Sequence, residues 1–130
     1  MTGAVEGDGY AVANLSELGE GPGFRKVRRE LAVDAFGVNA IVLPPSYETG
    51  RHFHERQQEL YFLHSGEVEF EFGDGSAHRL QPGGLARVDA ATVRKVRNLS
   101  DTDEAVYLVV GGEGGYVGRD GRQPEGEERR

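Results

Sequence analysis

The 130-residue sequence predicts an all-β chain, and three observations carry that expectation. No segment sustains the apolar period of an amphipathic helix. Residues 67–72, EVEFEF, alternate acidic and apolar side chains one for one, as a strand does with one face in a core and the other in water. Turn residues recur about every 8 to 12 positions, the spacing of strands in a sandwich or barrel, and 20 glycines serve the tight reversals this needs. The length suits one core rather than two.

Taken in order, residues 1–9 are small and polar and are expected to be flexible. YAVANL, residues 10–15, reads as a short edge strand, and SELGEGPG as a loop. FRKVRREL, residues 24–31, reads as a strand with Arg25, Lys26, Arg28 and Arg29 spread over both faces, a charged edge that discourages aggregation. GVNAIVL, residues 37–43, is almost continuously apolar and is expected to be central, ended by Pro44 and Pro45 because proline cannot donate to a ladder. After a His/Glu-bearing hairpin, EVEFEF turns through Gly73, Asp74, Gly75 and Ser76 into AHRL, a β-hairpin built on an Asp-Gly step. LARVDA, TVRKVRNL and AVYLVVGG supply the remaining strands, with Arg94, Val96 and Asn98 on one face of the second. The domain is expected over residues 10–116, followed by a flexible tail over residues 117–130 that is too polar to bury.

A formal charge of -7 repels phosphate backbones and anionic lipid surfaces, so neither nucleic acid nor membrane is an expected partner. The absence of cysteine excludes disulfides and thiolate ligands. With no basic-then-apolar leader and no run of apolar residues long enough to span a bilayer, the expected location is cytoplasmic.

The chemistry concentrates in residues 46–66, SYETGRHFHERQQELYFLHSG. In an extended strand His52 and His54 share a face while Phe53 points away. A tight reversal through Glu55, Arg56, Gln57 and Gln58 returns Glu59 beside them. Two imidazoles and a carboxylate are the donors that Zn, Mn, Fe, Ni or Co accepts, and three of them leave coordination positions open. His64 and His78 are read as surface residues.

The spacing His-x-His, four residues, Glu, six residues, Gly66 resembles the first motif of the cupin family, with Ser46 where the family usually has glycine. The second motif overlays GGLARVDAATVRKVRN, with Gly83 and Asn98 in register, Asp89 for proline, Ala91 for glycine and Arg94 for the histidine that is the family's fourth ligand. The resemblance covers about residues 36–110. It implies a double-stranded β-helix, the cupin form of the jelly-roll barrel, with His52, His54 and Glu59 as metal ligands in its pocket and a homodimer as a common state. Guanidinium cannot ligate a metal, and at about 5 Å from a divalent ion it opposes binding by on the order of 6 to 7 kcal/mol at an effective dielectric near 20. Arg94 is therefore expected to bind a substrate carboxylate or phosphate, with Tyr61 also lining the pocket by parity with Glu59; the contrary arrangement is an Arg94–Glu59 ion pair that substitutes for the metal. Two functions follow: a divalent-metal protein acting on a small molecule, anionic or neutral, or a metal-free module binding a small anionic or sugar-like ligand.

Overall fold

Twelve strands, one helix and a 3-10 turn carry residues 3–124, the part of the chain that the computed structural model describes. In chain order they are β1 (Val5–Gly7), β2 (Tyr10–Val12), the turn Leu15–Glu17, β3 (Gly23–Arg25), α1 (Val27–Leu31), β4 (Gly37–Leu43) and β5 (Phe53–His54). There follow β6 (Gln58–Ser65), β7 (Val68–Phe72), β8 (Ala77–Leu80), β9 (Leu85–Val88), β10 (Arg94–Asn98), β11 (Ala105–Gly112) and β12 (Gly121–Arg122). The chain is all-β in class.

Two antiparallel sheets do most of the work, one of five strands in the order β3-β4-β11-β6-β9 and one of three in the order β10-β7-β8. The apolar strand β4 lies inside the larger sheet, paired with β11 from Leu43 opposite Ala105 to Gly37 opposite Gly111, which explains why both its faces are hydrophobic. Leu43, Tyr61, Leu63, Val88, Ala105 and Tyr107 of the larger sheet meet Val68, Phe70 and Val96 of the smaller in one core. Tyr61 stands edge-on to Phe70 across the gap, with ring centroids 4.9 Å apart. The outer face of the smaller sheet is a charge ladder, in which Glu69 pairs with Arg97 at 3.3 Å and Glu71 with Lys95 at 3.1 Å.

Two turn positions explain the motif spacing. Gly66 has φ +85°, and a Cβ there would lie 2.8 Å from the Cα of Ala105, so both backbone and space demand glycine. Ser46, standing where glycine is usual, indeed takes a left-handed φ of 61°.

The structure corrects two local expectations. Residues 24–31 are not one strand: pairing stops at Arg25, and Val27–Leu31 form a helical turn closed by Ala32 at φ 54°, whose N–H bonds back to the carbonyls of Arg28 and Arg29. These residues are good helix formers, and Arg28 is held over the Tyr116 ring, 3.8 Å from its centroid. Near the N-terminus, Val5–Gly7 pair with Tyr10–Val12 in a short exposed hairpin. Residues 117–122, expected to belong to a flexible tail, fold back instead: Val117 and Asp120 are buried and Gly121–Arg122 pair with β5. The rest of the expected tail, residues 125–130, and residues 1–2 lie outside the described residues.

Candidate metal centre

The segment before β6 is laid along the free edge of β10 by a series of backbone hydrogen bonds. Asn98 N–H donates to Tyr47 O at 2.8 Å and Thr49 N–H to Val96 O at 2.8 Å; His52 and Arg94 exchange two bonds, of 3.0 and 2.9 Å. Asn98 anchors the start of this segment, its buried amide donating to the carbonyls of Leu43, Pro44 and Asp103. His54 N–H then donates to Ala90 O at 2.8 Å, and a turn through residues 55–57 brings Glu59 back at the start of β6. Opposite it on β11 is Gly111, where a Cβ would come within 3.1 Å of Glu59 Cγ; the missing side chain leaves the glutamate its place.

The result is a cluster in which one donor from each of His52, His54 and Glu59 lies within 4.8 Å of the others. The two imidazoles meet edge to face with centroids 5.4 Å apart. His54 Nε2 is 3.3 Å from Glu59 Oε1. Ligand bonds of about 2.0–2.2 Å put two neighbouring donors on one ion at about 2.8 to 3.6 Å from each other. The His54–Glu59 distance is already in that range, and donors spread over as much as 4.8 Å close on one ion by side-chain movements totalling about an ångström. The residues fit a divalent cation in donor type and in reach.

Electrostatics match. Burial opposes charge on Glu59, but hydrogen bonds and charges from His54, Tyr61 and Arg94 outweigh it and hold the carboxyl below its usual range. Burial, with the charge of Arg94, lowers His52, which keeps its imidazole neutral and its lone pair available. Tyr61 is raised well above the usual phenol value by burial and then by Glu59, so its hydroxyl stays protonated and donates to Glu59 Oε1 at 2.7 Å.

The cluster opens onto a cavity of about 640 Å³ lined by apolar side chains that include Phe24, Ile41, Leu43, Tyr107 and Val109. His52, His54, Glu59 and Tyr61 are all on its wall. Arg94 is not, which departs from the expectation of an anion-binding arginine: its side chain is 0% exposed. Its guanidinium lies behind the cluster, donating to the carbonyl of Thr92 at 2.8 Å, with Ala90 O at 3.4 Å and Asp89 O at 3.5 Å, and it stands 3.5 Å from Glu59 Oε1. The loop from Asp89 to Thr92 wraps the head and turns it from the cavity. His64 and His78 are exposed.

Two residues of the site were not singled out in the sequence. Gln57 places its amide nitrogen 2.9 Å from His54 Nδ1 and 3.4 Å from Glu59 Oε2, bridging two candidate ligands. Asp120 is buried and accepts the backbone N–H groups of Arg56 and Gln57 at 2.9 and 2.7 Å. Gln57 sat within the motif's variable stretch, a position that carries no ligand. Asp120 lay more than sixty residues away in a polar segment with no local signal.

The sequence model of the cupin domain matches residues 40–111, more than half of the chain. The chain belongs to the cupin family. Among solved structures, this cupin is similar to an uncharacterized conserved protein with a double-stranded beta-helix domain from Klebsiella pneumoniae, at 20% identity over 88% of this chain and 91% of that one, TM-score 0.72. It is also similar to a sugar phosphate isomerase from the cupin superfamily of Silicibacter pomeroyi, at 25% identity over 82% and 60% of the two chains, TM-score 0.63. A third similar chain comes from the crystal structures of the DMSP lyases RdDddP and RnDddQII, at 27% identity over 69% and 44%, TM-score 0.59. The cupin thus spans less than two thirds of the isomerase and lyase chains. Among curated proteins none matches it. No helix among the described residues is long and apolar enough to cross a membrane.

Proposed function

We propose that this cupin binds a divalent transition metal (Zn, Mn, Fe, Ni or Co) through His52, His54 and Glu59 and acts on a small molecule held in the adjoining cavity. The observation that carries the reading is the gathering of the three donors within 4.8 Å on the cavity wall. When bound, the ion supplies a Lewis acid or redox centre for a substrate oxygen. The chain's own contribution is orientation and exclusion of water. Phe24, Ile41, Leu43 and Val109 receive an apolar body, and Arg51 and Arg122 lie on the same wall, Arg122 with its guanidinium bonded to Glu55 and to the carbonyls of Arg119 and Gly121. Tyr61 fixes the Glu59 carboxylate from one side and Arg94 fixes it from behind, so the glutamate is oriented before any ligand arrives. The naming of two similar chains as a sugar phosphate isomerase and DMSP lyases supports a small-molecule substrate; their different chemistries leave the reaction open.

One observation favours the second reading, a metal-free binding module: Glu59 Oε1 already has Tyr61 Oη at 2.7 Å, His54 Nε2 at 3.3 Å and Arg94 at 3.5 Å, a self-contained network. Titration of chelator-stripped protein with each of the five ions, by competition against a chromophoric chelator, decides between them. The metal reading expects one tight site per chain, lost in His52→Ala and in Glu59→Ala. Saturable uptake of small anions or sugars in excess chelator, with no ion site, supports the module instead.

A further inference from the structure

The chain beyond β11 contributes to the site from a distance in sequence that the ligand motif does not span. Residues 120–122 hold the ligand turn by five separate contacts, one of them made directly on a candidate ligand, with Asp120 Oδ2 3.7 Å from His54 Nδ1. Gly121 and Arg122 pair with His54 and Phe53. The carbonyl of Asp120 accepts the N–H of Glu55 at 3.2 Å. Its carboxylate Oδ2 accepts the N–H groups of Arg56 and Gln57 at 2.9 and 2.7 Å. Arg122 Nε donates to Glu55 Oε1 at 3.0 Å. Asp120 is only 6% exposed, and Val117 beside it is buried as well, so the segment is anchored in the protein rather than lying on its surface. Gly121, Arg122 and Gln123 also form part of the cavity wall, and a Cβ on Gly121 would stand 3.6 Å from His54 Cε1, so the backbone of this segment passes directly over the imidazole.

These contacts converge on one side chain. Once the backbone of Gln57 is fixed by Asp120, its amide reaches His54 Nδ1 at 2.9 Å and Glu59 Oε2 at 3.4 Å. An amide carries both a donor and an acceptor, so a half-turn lets Gln57 meet the His54 nitrogen in either tautomer, including the one that leaves Nε2 free for an ion. Groups that orient ligands in this way are worth about 10- to 100-fold in metal affinity. From this geometry we infer that residues 116–122 are a strap that sets the ligand geometry, with Asp120 as a positioning residue that acts on His54 directly and, through Gln57, on both His54 and Glu59. The inference rests on the metal-binding reading for its consequence, but the hold of Asp120 on the ligand turn stands apart from it.

The test uses the full-length chain and two readouts. The first is the dissociation constant for Zn(II) or Mn(II) by chelator competition. Asp120→Ala and Gln57→Ala should each weaken binding by about 10- to 100-fold, Asp120→Asn, which keeps an acceptor, should recover most of the loss, and Asp120→Ala should cost less in the Gln57→Ala background than it does alone, the remainder being its direct contact with His54. The second is measured without metal: amide hydrogen exchange of Arg56 and Gln57, and the imidazole nitrogen resonances of His54. Exchange should accelerate and the resonances shift in Asp120→Ala while those of the exposed His64 stay in place. Unchanged affinity in a folded Asp120→Ala, or an Asn variant as impaired as the Ala one, overturns the inference. If Asp120→Ala does not fold, Gln57→Ala decides, and native-like affinity in that variant overturns it. If the native protein binds no ion, the metal reading fails and the exchange and resonance data alone decide the strap: no change at Arg56, Gln57 and His54 refutes it.

Discussion

Replacing Glu59 with glutamine in the metal-free protein isolates the buried pair behind the cluster. Arg94 is fully buried and its guanidinium lies 3.5 Å from Glu59 Oε1, with Glu59 itself 8% exposed. At that separation and an effective dielectric near 20 the Coulomb attraction is about 5 kcal/mol, and losing one member of a buried pair typically costs about 3–5 kcal/mol. Glutamine keeps an oxygen for the Tyr61 hydroxyl but turns amide donors toward a cation that needs acceptors, and the carbonyls of Asp89, Ala90 and Thr92 compensate only in part. We expect a loss of about 3 kcal/mol, which for a chain of this size is a fall in Tm of about 10 °C. The assay is urea and thermal unfolding in excess chelator, followed by circular dichroism because the chain has no tryptophan. An unchanged denaturant slope shows that the unfolded state is not the cause. A loss below about 0.5 kcal/mol would refute the view that Glu59 is the counter-charge of Arg94.

Three further outcomes are expected. Gly66→Ala should destabilise by about 2–4 kcal/mol, from the left-handed φ and the contact with Ala105, seen as a lowered urea midpoint at unchanged slope. Gly111→Ala, which crowds Glu59 Cγ, should weaken ion affinity about tenfold by competition titration while costing under about 1 kcal/mol of stability. Stability should fall on acidification in two stages, because all three groups concerned have lowered folded values. His52 is kept neutral in the fold, so the unfolded chain takes its proton first and stability declines as pH drops below about 6.5. Glu59 and Asp120 contribute stability that is present above their ordinary carboxyl values and lost as pH falls through the lower folded ones, measured as urea midpoints between neutral pH and pH 3.

The parts of the fold that were legible in sequence are those in which local pattern and tertiary environment agree. Residues 68–72 alternate because Val68 and Phe70 enter the core while Glu69 and Glu71 meet cations on the neighbouring strand. Gly66 could be read because a backbone constraint admits one residue type. The histidine pair and Glu59 were legible as a set because alternation and a short return bring them together. What was missed depends on contacts remote in sequence. Residues 27–31 carry charges that suit an edge strand and a short helix equally, and the packing of Arg28 on Tyr116 falls on the helix. The composition of residues 117–130 carries no burial signal, yet Asp120 is buried because two backbone donors of the ligand turn require an acceptor. The residue type at Arg94 was informative, but its direction was decided by carbonyls of the Asp89–Thr92 loop.

Metal binding by His52, His54 and Glu59 despite Arg94 behind them is tested most directly by elemental analysis of two purified proteins, native and Arg94→His, each expressed with and without supplementary metal. Residue 94 exchanges both backbone bonds with His52, so a histidine there adds a nitrogen donor beside the existing set and removes a positive charge. The expected result is close to one transition-metal ion per chain in the supplemented native protein, and the same content held through more stringent chelation in Arg94→His. Folded native and variant proteins that both emerge without metal would contradict metal binding and leave the self-contained Glu59 network as the ground state of a metal-free binding module.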